Sequence, residues 1–220
     1  MTHSSEELEQ IYRNRFSGKD DYRQAVWSVL GTFFGRWIPP AAAVLDLGAG
    51  YCEFINHVRA ERRIAMDLNP ETGNRAAGDI AVLQHDCAEP WPIPSASLDA
   101  VFTSNFFEHL PTKAHLERTL SETYRALKPG GRLIAMGPNI KFLPGAYWDF
   151  WDHYLPLTES SLAEGLRRHR FDIEVQIDRF LPYTMSHGRT HPTWMLRAYL
   201  GLPVAWKWFG KQFLLIARRS

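Results

Sequence analysis

Cysteine is scarce here: the 220-residue chain holds two, Cys52 and Cys87. That is too few for a disulfide-stapled secreted scaffold, and both sit in stretches taken below as ligand turns, so free thiols and a reducing cytoplasm are expected. No apolar run approaches the ~18 residues of a membrane-spanning helix. The first ten residues are polar and acidic, without the basic start and apolar stretch of a secretory leader. Charge of one sign is lacking too: the net charge is +1, which gives no general pull toward nucleic acid. Repeats and low-complexity tracts are absent. What remains is 45% hydrophobic and 22% charged, an ordinary globular composition. The length suits one α/β domain with a full core and a small lid.

One stretch organises the rest: Val44-Leu45-Asp46-Leu47-Gly48-Ala49-Gly50-Tyr51-Cys52-Glu53-Phe54. A short apolar run breaks at two glycines spaced by one residue. It continues into Phe54, Ile55 and Val58 at helical spacing, which predicts a strand, a tight turn and a helix start. Gly48 and Gly50 permit positive φ and close approach of a ligand. The helix N-terminus presents unpaired N–H groups.

A further absence narrows the ligand. A dinucleotide fingerprint reads G-x-G-x-x-G, but Glu53 stands at the third glycine position. A pyrophosphate would be repelled there. Asp46, at the strand end, suits a cationic ligand group. Asp67 closes a second short strand about 20 residues after the glycines, the spacing at which a carboxylate grips ribose hydroxyls. A ligand with an adenosine, an ammonium and a carboxylate but no phosphate fits these charges, namely S-adenosylmethionine.

Further stretches follow in order: Gln84-His85-Asp86-Cys87, Leu98 through Leu110 with Ser104-Asn105-Phe106-Phe107-Glu108-His109, and Leu127-Lys128-Pro129-Gly130-Gly131-Arg132-Leu133. With the glycine turn, these make residues 40–137 resemble the class I S-adenosylmethionine-dependent methyltransferases, of the type 11 kind. The remainder resembles them loosely. Cys52 departs from the family, which often has a third glycine there, but cysteine is small. The resemblance implies a doubly wound, seven-stranded, mostly parallel Rossmann-like sheet, its last strand antiparallel between strands five and six. It implies cofactor contacts at Asp46, Gly48, Gly50, Asp67, Leu68, Asp86, Cys87 and Asn105, with Asp86 and the next backbone N–H serving the adenine. It also implies N-terminal helices that cap the pocket, so that Arg13, Arg15 or Arg23 meets the methionine carboxylate. Solvated helix charges are the plainer alternative for each arginine. No metal is expected.

Along the chain, periodicity predicts helices over 5–18 and 21–37, stopped by Pro39-Pro40. Strands are expected at 63–67, 79–85, 98–104 and 132–136, with Pro129-Gly130-Gly131 as a turn. Helices are expected at 111–127 and 158–168, the latter opened by Thr158 with Ser161 three residues on. Strands at 171–180 and 212–218 complete the set, with a helix at 192–200. Strict alternation of strand and helix argues a parallel sheet covered on both faces. The whole is expected as one domain: a helical cap over 1–38, a cofactor core over 39–137, and substrate-side insertions at 138–157 and 181–209.

Methyl transfer from a sulfonium is an in-line displacement that needs alignment and, for a weakly acidic acceptor, a base. His109, and His153 within an aromatic connection that also holds Asp149 and Asp152, are the candidates; each is alternatively a histidine that orders its loop. Base-amine methyltransferases carry Asn-Pro-Pro-Tyr after the fourth strand. Both prolines are missing here, which argues against nucleic acid and for a small-molecule acceptor, with O-methylation of a sugar, lipid-linked saccharide or secondary metabolite favoured. The alternatives are a non-catalytic binding or scaffold domain, opposed by Asp46, Asp67 and Asp86, and a nicotinamide-dependent oxidoreductase, opposed by Glu53. Finally, no acidic residue follows Asp178, while seven basic residues and many aromatics do. That pattern suits either a lid over the substrate or contact with a membrane surface or lipid-linked substrate through 181–209.

Overall fold

Residues 20–183 and 190–220 are described by the computed structural model. Seven strands form one sheet: β1 (Ala43–Leu47), β2 (Arg62–Asp67), β3 (Ala81–Gln84), β4 (Leu98–Ser104), β5 (Leu127–Pro138), β6 (Phe171–Ile177) and β7 (Gln212–Arg219). The order is β3-β2-β1-β4-β5-β7-β6. The first five strands run parallel, and β7 lies antiparallel to both β5 and β6, as the resemblance implied.

Because side chains alternate along a strand, the central strands feed two cores. Leu45, Val101, Leu133, Ala135, Phe213 and Leu215 face one core, with α4 (Lys113–Ala126) and α5 (Glu159–Arg168). Val44, Ala100, Phe102, Ile134, Leu214 and Ile216 face the other, with α1 (Asp20–Phe34) and α2 (Glu53–His57), while the short α3 (Thr72–Arg75) joins β2 to β3. There Phe54 stacks on Phe102 at 3.6 Å, and Trp27 meets both rings edge-on. A Cβ on Gly31 would sit 3.0 Å from the His57 carbonyl oxygen, so a glycine is what lets α1 approach α2 this closely.

Several boundaries differ from expectation for local reasons. The helix expected over 21–37 is α-helical only to Phe34 and tightens into a 3-10 turn at Gly35–Trp37. β5 begins at Leu127, not Arg132: Leu127 pairs with Leu98 and Arg132 with Ala100, so the Pro-Gly-Gly segment bulges out of a strand that continues on either side. The strand expected to Phe180 ends at Ile177. The C-terminal insertion holds two helices, α6 (Thr193–Leu200) and α7 (Pro203–Phe209), the second opened by Pro203 at its first position and not anticipated. Thr158 and Ser161 do cap α5 reciprocally, each hydroxyl accepting the other's backbone N–H at 3.0 Å. The helix expected over 5–18 lies outside the described residues, as do Arg13 and Arg15.

Candidate active site

The glycine turn leaves β1 at the carboxyl edge of the sheet, where the strand order reverses between β1 and β4 and doubly wound folds bind ligands. Gly48 and Gly50 have φ of +71° and +51°, and Cys52 is also left-handed at +60°. The family's third glycine thus answers a real backbone demand, which this chain meets with a buried cysteine. Tyr51, beside it, lies under the Arg75 guanidinium at 4.4 Å.

Carboxylates ring this turn. Asp46 is buried at the end of β1 and accepts the Ile55 backbone N–H, tying strand to helix. Burial pushes its pKa well up, and Asp67 and Glu53 push it further. Asp67 accepts the N–H groups of Gly50 at 2.7 Å and Asn69 at 2.8 Å, one on each oxygen. Burial raises its pKa too, against those backbone bonds and the charge of His109. Two buried carboxylates, Asp46 and Asp67, both with pKa values raised by burial, describe a turn that favours positive charge. That is the field a sulfonium or ammonium meets favourably and a pyrophosphate does not. Arg23, the one described arginine of the three expected at the methionine carboxylate, lies buried on α1 in an ion pair with Glu53 at 2.5 Å.

Leu68, beside Asp67, is exposed. At the end of β3, Asp86 folds the chain by accepting the Ala88 N–H at 2.8 Å. Cys87 is buried, accepts the Thr119 hydroxyl, and has its thiol pushed up to about 12 by burial, so it is an inert packing residue and not a nucleophile. Asn105, just past β4, has φ +48°, and its buried Oδ1 accepts no hydrogen bond from the described residues. That side-chain oxygen is a polar atom for a ligand to satisfy. The neighbouring Phe106 ring lies directly on Gly48, a contact with no signature in one dimension.

The aromatic connection between β5 and α5 folds back onto the same edge. Asn139 anchors one end by donating to Glu159 at 2.6 Å and to the Asp178 carbonyl at 2.9 Å. Across the middle, Tyr154 and Leu155 donate their N–H groups to the Glu108 carbonyl, and the Tyr147 hydroxyl donates to the buried Glu108 carboxylate at 2.6 Å. The two expected histidines meet here, rings 4.8 Å apart. His109 Nδ1 lies 3.0 Å from the Asp152 carbonyl and 3.1 Å from its carboxylate. His153 Nδ1 lies 2.6 Å from the Tyr147 carbonyl. A carbonyl oxygen only accepts, so both rings carry a proton on Nδ1, and Nε2 is the nitrogen whose protonation can change. Burial lowers the His109 pKa, but the Asp152 and Glu108 carboxylates outweigh it and the net shift is upward. Asp149 is exposed and stands outside this group. His109, Asp152 and His153 also offer one ligand atom each within 4.8 Å of one another, a set able to hold a cation, which sequence spacing alone did not suggest.

Comparison with known proteins gives consistent findings. Residues 45–135 match the family model described as a methyltransferase domain. A demethylmenaquinone methyltransferase of Symbiobacterium thermophilum is 28% identical over 193 residues, covering 75% of each chain. A malonyl-[acyl-carrier protein] O-methyltransferase of Methylococcus capsulatus is 33% identical over 104 residues, or 43% of this chain and 37% of that protein. The fold matches a crystal structure of a SAM-dependent methyltransferase from Archaeoglobus fulgidus with a TM-score of 0.64 at 20% identity, covering 96% of this chain and 99% of that one.

Proposed function

We propose, from the premise that this chain belongs to the class I S-adenosylmethionine-dependent methyltransferases, that it methylates a hydroxyl of a small-molecule acceptor with His109 as the base. One observation carries the reading: His109 is held through Nδ1 by Asp152, while its charge is felt at Asp67 on the cofactor edge. With Nδ1 so engaged, Nε2 is the nitrogen left to take a proton from the acceptor in this reading.

In this reading Asp67 keeps a second lone pair on each oxygen for the ribose hydroxyls after accepting Gly50 and Asn69. Leu68 lies against the adenine, and Asp86 with the Cys87 N–H reads its edge. The turn at Gly48 and Gly50 would admit the methionine portion, Asn105 Oδ1 would accept from its ammonium, and the Asp46 and Asp67 carboxylates would stabilise its positive charge. Bound there, S-adenosylmethionine would supply its sulfonium methyl to the acceptor oxygen and depart as neutral S-adenosylhomocysteine, and His109 Nε2 would take the proton that the acceptor hydroxyl gives up. Asp152 stabilises the imidazolium that forms. Tyr147 and Phe150, packed on His153, wall the acceptor side.

The test is a mass-spectrometric screen for methylated product across hydroxylated saccharides, lipids and polyketides, with carboxylic acids as the base-independent comparison. On the acceptor found, His109→Ala should cut kcat by ~100-fold or more with cofactor affinity unchanged. Unchanged turnover removes His109 from the chemistry and points to a carboxylate acceptor. Loss of turnover on chelation, restored by a divalent cation, transfers the activating role to a cation held by His109, Asp152 and His153.

A further inference from the structure

The insertion carrying α6 and α7 is apolar on two faces. Its inner face is accounted for by the fold: Leu200 is buried, Leu196, Tyr199 and Trp206 pack on the second core, and the Trp206 ring meets Phe33 and Phe180 edge-on. Three hydrogen bonds fix the pair in place, from the Tyr199 hydroxyl to the Phe180 carbonyl at 2.6 Å, from Trp206 Nε1 to the Tyr199 carbonyl at 2.8 Å, and from the Arg179 guanidinium to the Trp208 carbonyl at 3.0 Å. Among the described residues the outer face has no such partner. Trp208 is 75% exposed, Trp194 66% and Phe209 64%, with Val204, Leu202 and Met195 also exposed. Six of the ten large hydrophobic residues exposed among the described residues therefore fall within these two short helices and their junction.

Charge identifies what the face meets. Arg197, Lys207 and Lys211 are exposed on the same insertion, and among the described residues none has an acidic partner. No Asp or Glu follows Asp178. We propose that the outer face of α6 and α7 docks on an anionic lipid bilayer. Trp and Phe side chains enter the acyl boundary while the cations lie at the headgroups. No helix of the described residues is long and apolar enough to cross a membrane, so docking is peripheral. A second copy of the chain fits the face less well. A two-fold dimer would bring the same three cations against each other with no carboxylate to compensate.

Vesicle sedimentation tests this on the full chain. Phosphatidylcholine vesicles doped with phosphatidylserine should pull the protein down at about 0.01 M salt, where the Debye length is about 30 Å, and release most of it at about 1 M, where it is about 3 Å. Pure phosphatidylcholine should bind it far less. Replacing Arg197, Lys207 and Lys211 together by Gln should weaken partitioning by roughly a hundredfold. Trp208→Ser with Phe209→Ser should also weaken it, leaving the salt dependence of any residual binding in place. Circular dichroism and S-adenosylmethionine affinity should match the unmodified protein in both variants, which separates lost docking from lost folding. Protein that stays in the supernatant with anionic vesicles at low salt overturns the proposal. So does concentration-dependent dimerisation abolished by the Trp208/Phe209 variant without any vesicle binding.

Discussion

Gly48→Ala perturbs the glycine turn after β1 at the point where backbone conformation and packing both demand glycine. The residue has φ +71°, where an L side chain costs about 1–2 kcal/mol. A Cβ built there falls 2.3 Å from Cγ and Cδ2 of Phe106, whereas carbon atoms rest about 3.5–4.0 Å apart. The ring must move by about 1 Å or more, yet its chain is held by the Asn105 N–H bond to the Met136 carbonyl at 2.9 Å. Overpacking of this kind costs about 1–3 kcal/mol. The two add to roughly 2–5 kcal/mol, and at about 2–4 °C per kcal/mol for a chain of this size the midpoint should fall by roughly 4–20 °C. Differential scanning calorimetry on Gly48→Ala, Phe106→Ala and the double variant separates the contributions. Removing the ring relieves the overpacking and not the backbone strain, so the double variant should be more stable than the sum of the single effects by about 1–3 kcal/mol. Strict additivity, or a Gly48→Ala protein melting with the unmodified one, refutes the reasoning.

Two further outcomes follow from the site. Asp67→Ala should weaken S-adenosylmethionine binding by about 1.5–3 kcal/mol in titration calorimetry, the usual cost of losing hydrogen bonds to a charged group; unchanged affinity in the folded variant excludes ribose contact. A base must be neutral to act, and the carboxylates hold the His109 pKa above its ordinary value of about 6.5, so the acidic limb of the kcat profile should lie above about pH 6.5. Asp152→Asn should move that limb to lower pH while lowering kcat, and a limb that stays or moves upward contradicts Asp152 as the positioning carboxylate. The linked stability has the matching sign: a raised folded pKa gives stabilisation fully present below about pH 6.5 and lost as pH rises through the folded value, to be read from urea midpoints across pH.

The alternation of strand and helix along the chain argued for a parallel sheet covered on both faces, and the near-continuous apolar runs of β1, β4 and β5 fit it, since every side chain of such a strand enters one of two cores. Spacing alone located Gly48, Gly50 and Asp67: a tight turn and the strand beside it are local, so their chemistry is written within about 20 residues. Glu53 at the third glycine position spoke against a pyrophosphate before any geometry was known. The resemblance supplied the antiparallel β7, which no local pattern dictates, and the sheet order bears it out. What only the tertiary structure decided is whatever joins distant segments. Asp152 reaches His109 from 43 residues away, Tyr147 reaches Glu108 from 39, and Arg23 neutralises Glu53 across two helices. The Phe106 ring on Gly48 belongs to the same class. Periodicity records which face a residue shows to its own element, and carries nothing about which remote side chain closes over that face. For that reason the glycine turn could be seen in the sequence, while the meeting of His109, His153 and Asp152, each named there singly, had to be found where the connection folds back.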